Sequence, residues 1–341
     1  KNCMLGGKFN PTEKENFLCL VNHGTPDRLV ANYEALGVVR VDPVTALDWG
    51  PRKRGSSCVD VYGTTILWPE DQPAGIPYIT EENKVIHHIE DWRNELKLPD
   101  YDALEPDMDW SENARLVAQI DRSQKLVTSI LPTGLFERCH FLMGFEDMLM
   151  NLLMEPEAME DLLDELLRVR LSYVRLLAKY MKPEVIISHD DWGNKKSLFM
   201  SADTWRRFFK ERYRKLYAYM HELGIIVVHH ADCHCAAIAE DMAEIGVDVW
   251  QGVIPDNDIV SLQKKLKGSM VLMGGIDSRI DHKDWTEEEV RRETRRACSE
   301  YGKAGSFIPC LTYGGPTSIF PGVTETIVDE IHRYNQEICG I

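Results

Sequence analysis

The chain has 341 residues, 44% of them hydrophobic and 28% charged, and a formal net charge of −16. That balance suits one large α/β barrel or two ordinary domains and argues against disorder, and the excess of carboxylates, by repelling phosphate backbones, removes nucleic acid from the expected partners. No apolar run approaches the ~18–20 residues of a membrane helix, and the opening KNCMLGGKFN lacks the long apolar stretch of a signal peptide; with nine scattered cysteines read as reduced thiols, a cytoplasmic protein is expected.

In chain order, short β-branched runs alternate with amphipathic helices. Residues 28–35 (RLVANYEA) read as the first strand, and the Pro- and Gly-rich stretch 60–88 reads as a hairpin-like excursion forming part of a lid. The next strand spans 125–132 (KLVTSILP). A helix opens at Glu155–Pro156, with Met159, Leu162, Leu163, Leu166, Val169, Tyr173, Val174 and Leu177 on one face. After a strand at 184–191 (EVIISHDD), Ser201 caps a helix that stops at Gly224. Further strands follow at 225–232, 247–253, 270–277 and 306–313. Apolar strands spaced by single helices signal a parallel sheet. These strands and one further pairing predict a (β/α)8 TIM barrel of one domain over residues 1–341, with the excursion at about 60–90. A doubly wound sheet is the alternative that periodicity leaves open. Polar residues at the strand ends (Glu34, His189, His230, Gln251, Asp277, Cys310) favour the barrel, whose active sites gather at the C-terminal face.

The run IIVVHHADCHC concentrates metal-capable side chains at one such end. His230 and Asp232 share a strand face, and Cys233 joins them if the chain turns at once. Cys310, near the end of the last strand, supplies the distant donor, so His230, Asp232, Cys233 and Cys310 are the candidate ligands of a zinc ion. His234 and Cys235 read as bystanders. His189, Asp190 and Asp191 end another apolar strand. Asp191 is the candidate catalytic carboxylate, His189 and Gln251 are candidate substrate contacts, and Asp190 reads as a helix cap. Tyr313, in the loop TYGGPTSIFPG, is a candidate pocket residue.

Taken together, FLCLVNHGTPDRLVANY, DVYG, PTGLFERCHFLMGFEDMLMNLL, HDDWGNKKSLFMSADTWRRF and HHADCHCAAIAEDM resemble the uroporphyrinogen decarboxylase superfamily over nearly the whole chain. The resemblance implies a (β/α)8 barrel. Decarboxylases carry an Arg-rich segment of the MRQAGRY kind after the Pro-Asp-Arg turn, and PDRLVANYEALGVVRVD has none. The likeness therefore points to the corrinoid-dependent methyltransferase branch, which binds zinc through a His-x-Cys pair and a distant Cys. His230 matches that His, Asp232 occupies the second position with Cys233 one residue beyond, and Cys310 lies about one residue from the distant Cys. Asp60, in DVYG, matches an acidic residue near the decarboxylase substrate, which implies a catalytic pocket role. The implied reaction moves a methyl group between a small methylated compound, such as a methyl ether, and a corrinoid protein. No Asp-x-His-x-x-Gly motif occurs here, so a separate protein is expected to carry the corrinoid. The alternatives are a decarboxylase-like lyase and a non-catalytic binder of a small molecule or tetrapyrrole.

Overall fold

The computed structural model describes residues 11–72, 74–312 and 318–339. Seven strands form one parallel sheet: β1 (Leu36–Val39), β5 (Leu126–Leu131), β6 (Val185–His189), β7 (Ile226–His230), β8 (Val249–Val253), β9 (Val271–Ile276) and β10 (Phe307–Leu311), side by side in that order. Between them β2 (Ser56–Val59), β3 (Thr65–Trp68) and β4 (Ile76–Pro77) make a small antiparallel sheet. This is the expected excursion, begun a few residues earlier. Leu142 O accepts Val85 N and Ile86 N at 2.8 and 2.9 Å, tying the segment after β4 to the helix Leu135–Met143.

Both faces of the main sheet are buried, which is why its strands read as nearly continuous apolar runs. Alternate residues fall into two separate cores. Leu36, Leu126, Val185, Ile187, Val228, Val249, Val271, Met273, Ile308 and Cys310 form an inner cluster, completed at one end by Phe17 and Leu20 of the helix Glu13–Val21. Val39, Ile186, Val227, Trp250, Leu272 and Phe307 belong to the outer cluster, under the helices. A parallel sheet whose inner face packs mostly on itself is curled, as in a barrel.

The outer layer follows the sequence closely. Pro156–Tyr180 is one helix with Pro at its first turn, and it buries the whole expected apolar stripe. Each of its fully buried leucines contributes roughly 1.5–3 kcal/mol against exposure. Ser201 Oγ accepts Thr204 N at 3.0 Å, and the helix it caps runs on to Glu222, with a π-helical turn at Arg206–Lys210.

One expected strand is corrected. Residues 28–35 are not a strand, although Val30, Ala31 and Ala35 are buried. Asn32 takes φ +51°, and the turn bonds Glu34 N to Ala31 O (3.0 Å) and Leu36 N to Tyr33 O (2.8 Å) break any ladder. The strand begins only at Leu36. The segment nevertheless touches the edge strand β10, and its last residue extends the pairing of β1 with β5. Asn32 N donates to Pro309 O of β10 at 3.2 Å, and Leu126 N at the start of β5 donates to Ala35 O at 2.8 Å. Seven parallel strands, rather than eight, are found among the described residues.

Candidate metal centre

The inner-facing alternation brings the chemistry together. On β6, Val185 and Ile187 face inward, so His189 does too; on β7, Ile226 and Val228 place His230 the same way. The two strands pair in register, His189 beside His230. Asp191 lies two residues beyond β6. Ligating atoms of His189, Asp191 and His230 all lie within 4.8 Å of one another, and each residue is half-buried.

Each imidazole is held from behind. His189 Nδ1 lies 2.8 Å from Glu137 Oε2, and His230 Nδ1 is hydrogen-bonded to Gln251 Oε1. His189 Nε2 is 3.6 Å from Asp191 Oδ2, and His230 Nε2 makes no hydrogen bond among the described residues. Nδ1 tied to a carboxylate or amide, with Nε2 left over, is how metal-ligating histidines are commonly oriented. Two such nitrogens and a carboxylate fit a borderline ion such as zinc with a coordination position to spare.

The electrostatics separate the two rings. Burial disfavours charge on His189, but the Glu137 carboxylate, helped by Asp191 and Asp190, outweighs it and raises the imidazole to about 10. In Glu137 burial is likewise overcome by charged His189 and its hydrogen bond, holding the carboxyl down at about 2. His230 is lowered by burial and by the charge of His189. Asp232 is raised to about 7 by burial and by Asp191, whose Oδ1 accepts the Asp232 backbone N–H at 3.0 Å.

The expected ligand set is regrouped. His230 stands with His189 and Asp191, not with Asp232, Cys233 and Cys310. Cys233 turns into the outer core, its Sγ 3.3 Å from Cys235 Sγ. The side chain of Asn257 causes this: it donates to Cys233 O at 3.0 Å and accepts Cys235 N and Ala236 N at 2.8 and 2.9 Å, fixing the loop with the thiol outward. Cys310 faces inward, but Gln251 stands between it and His230, its Nε2 4.0 Å from Sγ. Burial pushes that thiol up to about 12. Gln251 thus serves His230. Asp60 is not open to the mouth: its fully buried side chain accepts Tyr62 N, Thr64 N and Arg138 Nη1 at 2.9, 2.8 and 2.8 Å, bracing the hairpin turn. Tyr313 lies outside the described residues.

Asp190 is the helix cap it was read to be. Its carboxylate accepts Phe136 N and Glu137 N, both at 3.0 Å, and Trp192 Nε1 at 2.9 Å. It packs so close to Gly134 that a Cβ there would lie 2.0 Å from Asp190 Cγ. Asp190 therefore sets the first turn of the helix that delivers Glu137 to His189. Glu137 had no role in the sequence reading. His189 and Asp191 were assigned other roles, yet a signal was present: adjacent strands end in His-x-Asp, at 189–191 and again at 230–232.

The family model described as Uroporphyrinogen decarboxylase (URO-D) matches residues 77–334. Among solved structures, a methyltransferase from Methanosarcina mazei matches 95% of this chain and 99% of its own, with TM-score 0.67 and 14% identity, a likeness of fold. A D-psicose 3-epimerase from Clostridium cellulolyticum H10 matches 70% of this chain and 86% of its own at TM-score 0.37 and 11% identity, too loosely to carry an argument. No curated protein sequence matches.

Proposed function

The chain belongs to the uroporphyrinogen decarboxylase family, and from that premise we propose that it is a zinc-dependent methyltransferase of a corrinoid system. It moves a methyl group between a small methylated compound, such as a methyl ether, and a separate corrinoid protein. The observation that carries this reading is the His189–Asp191–His230 cluster at the C-terminal ends of the strands, with both Nδ1 atoms tied back. A solved structure with the same fold over nearly the whole chain is a methyltransferase, so the scaffold has a precedent for the reaction class. The missing Arg-rich segment speaks against decarboxylation of a tetra-acid porphyrinogen.

In this reading His189, Asp191 and His230 hold the ion. A zinc ion held by these three side chains would supply Lewis acidity, to polarise an ether oxygen or to keep a thiol as thiolate. The protein's own part is orientation. Glu137 and Gln251 fix the imidazoles, and the apolar inner cluster beneath them closes the site to water from below. We assign residues 29–35 to the eighth position of a (β/α)8-type barrel, and the antiparallel excursion to a lid over its mouth.

Metal analysis of protein purified without chelators tests the reading. About one zinc per chain is expected, falling below about a tenth in His189→Ala and His230→Ala variants that keep their fold. Metal-free native protein that also fails to take up added zinc sinks it.

A further inference from the structure

The turn between β5 and the helix Leu135–Met143 is held from both sides by buried side chains. Its N–H groups go one way: Tyr213 Oη accepts Leu135 N at 3.0 Å, and the Asp190 carboxylate accepts Phe136 N and Glu137 N. Its carbonyls turn the other way, onto one guanidinium. Arg170, buried on the helix Pro156–Tyr180, donates Nη1 to Pro132 O at 2.8 Å and to Thr133 O, and its Nη2 stands 3.5 Å from Leu131 O. Thr133 sits at φ +53°, a left-handed conformation that a β-branched residue keeps only when its surroundings hold it there. Arg170 also touches the other half of the site. Its Nη2 lies 3.4 Å from Ser188 Oγ, and Ser188 immediately precedes His189. The Thr133–Gly134 peptide group completes the link. Its carbonyl accepts from Arg170, and its N–H donates to Glu137 Oε2 at 3.4 Å, the same oxygen that faces His189 Nδ1 at 2.8 Å. One peptide plane thus carries the guanidinium on one edge and the carboxylate on the other.

We propose that Arg170 is a positioning residue of the metal centre: by fixing the Thr133–Gly134 peptide it sets Glu137 against His189, and so governs how tightly the three ligands hold zinc. The inference rests on the reading of His189, Asp191 and His230 as zinc ligands. Arg170 hydrogen-bonds none of the three itself, so its effect on the ion passes through Glu137. The planar fork suits this task, because it spans neighbouring carbonyls and the Ser188 hydroxyl at once, which a single ammonium cannot do.

Zinc affinity, read by competition against a chromophoric chelator, tests this with Arg170→Met and Arg170→Lys in the native and the Glu137→Gln backgrounds. In the native background Arg170→Met should weaken zinc binding about ten-fold and Arg170→Lys about three-fold. In the Glu137→Gln background both losses should shrink to less than about two-fold, because the group that Arg170 places is gone. An unchanged affinity in the folded variants, or an equal loss in both backgrounds, overturns the inference and leaves Arg170 a structural clamp. Where Arg170→Met does not fold, Arg170→Lys decides by the same comparison.

A second readout needs no metal. The imidazole N–H that His189 donates to Glu137 should give a low-field proton resonance in the metal-free protein, absent from His189→Ala, and both Arg170 variants should move it upfield. A resonance that stays in place overturns the inference. A protein that takes up no zinc while this resonance moves would leave the placement of Glu137 by Arg170 standing and sink the zinc reading.

Discussion

His189 and His230 lie face to face across the β6–β7 pair, with ring centroids 4.7 Å apart and planes 13° from parallel. Two imidazolium ions could not rest there without strong repulsion. Glu137 resolves this by favouring the charge on His189, while burial and that neighbouring charge disfavour protonation of His230. A cation bound by both rings would take over the same role, with Glu137 behind one ring and Gln251 behind the other.

The regrouped ligand set predicts which cysteines matter. Cys233→Ala and Cys310→Ala should retain zinc at the wild-type stoichiometry, because one thiol packs beside Cys235 and the other lies behind Gln251. Each should cost about 1 kcal/mol of stability through lost packing. Zinc content by plasma mass spectrometry checks this, and loss of the metal in either variant would return that thiol to the ligand set.

Glu137→Gln should weaken zinc binding by about 10- to 100-fold while leaving all three ligands in place. Competition against a chromophoric chelator measures it. An unchanged affinity would show that the 2.8 Å contact with His189 has no part in metal binding.

Gly134→Ala should be among the most damaging small substitutions in the chain. The new Cβ would fall 2.0 Å from Asp190 Cγ and 2.1 Å from its Cβ, and the helix cap could not form around it. A loss of about 1–3 kcal/mol or more is expected in chemical denaturation, together with weaker zinc binding, because the same turn carries Glu137. Wild-type stability would contradict the close packing.

Asp48 predicts a pH dependence. Burial, only partly offset by Arg138 and by a hydrogen bond from Tyr101, raises its carboxyl from 3.8 to about 6. Between those values the folded protein holds a proton that the unfolded chain has released, so this group's contribution to stability falls as pH rises through the window. The full effect is about 3 kcal/mol. Asp48→Asn should lack it, so denaturation of the two proteins should give curves that diverge between about pH 4 and 6. Parallel curves would contradict the shift.

The strands were legible where an apolar run ends in polar residues, because parallel strands buried on both faces carry little else. Residues 28–35 misled because their composition is strand-like and Val30, Ala31 and Ala35 are indeed buried; left-handed Asn32 turns the chain, and LGVV just beyond forms the ladder. At the site, His230 could be read from its own strand. Its partners could not, since the register between β6 and β7 puts His189 beside it, and Asn257, 24 residues beyond Cys233, turns that thiol away. Glu137 reaches His189 across 52 residues of sequence, and no local pattern announces that contact.

The account stands most directly on an anaerobic assay of methylcobalamin formation from reduced cobalamin and a methyl ether. Wild-type protein should form methylcobalamin, lose the activity when zinc is chelated and regain it when zinc is restored, and the folded His230→Ala variant should form none. Turnover that survives both chelation and His230→Ala, or zinc-loaded protein that forms no methylcobalamin from any methyl ether, would contradict it.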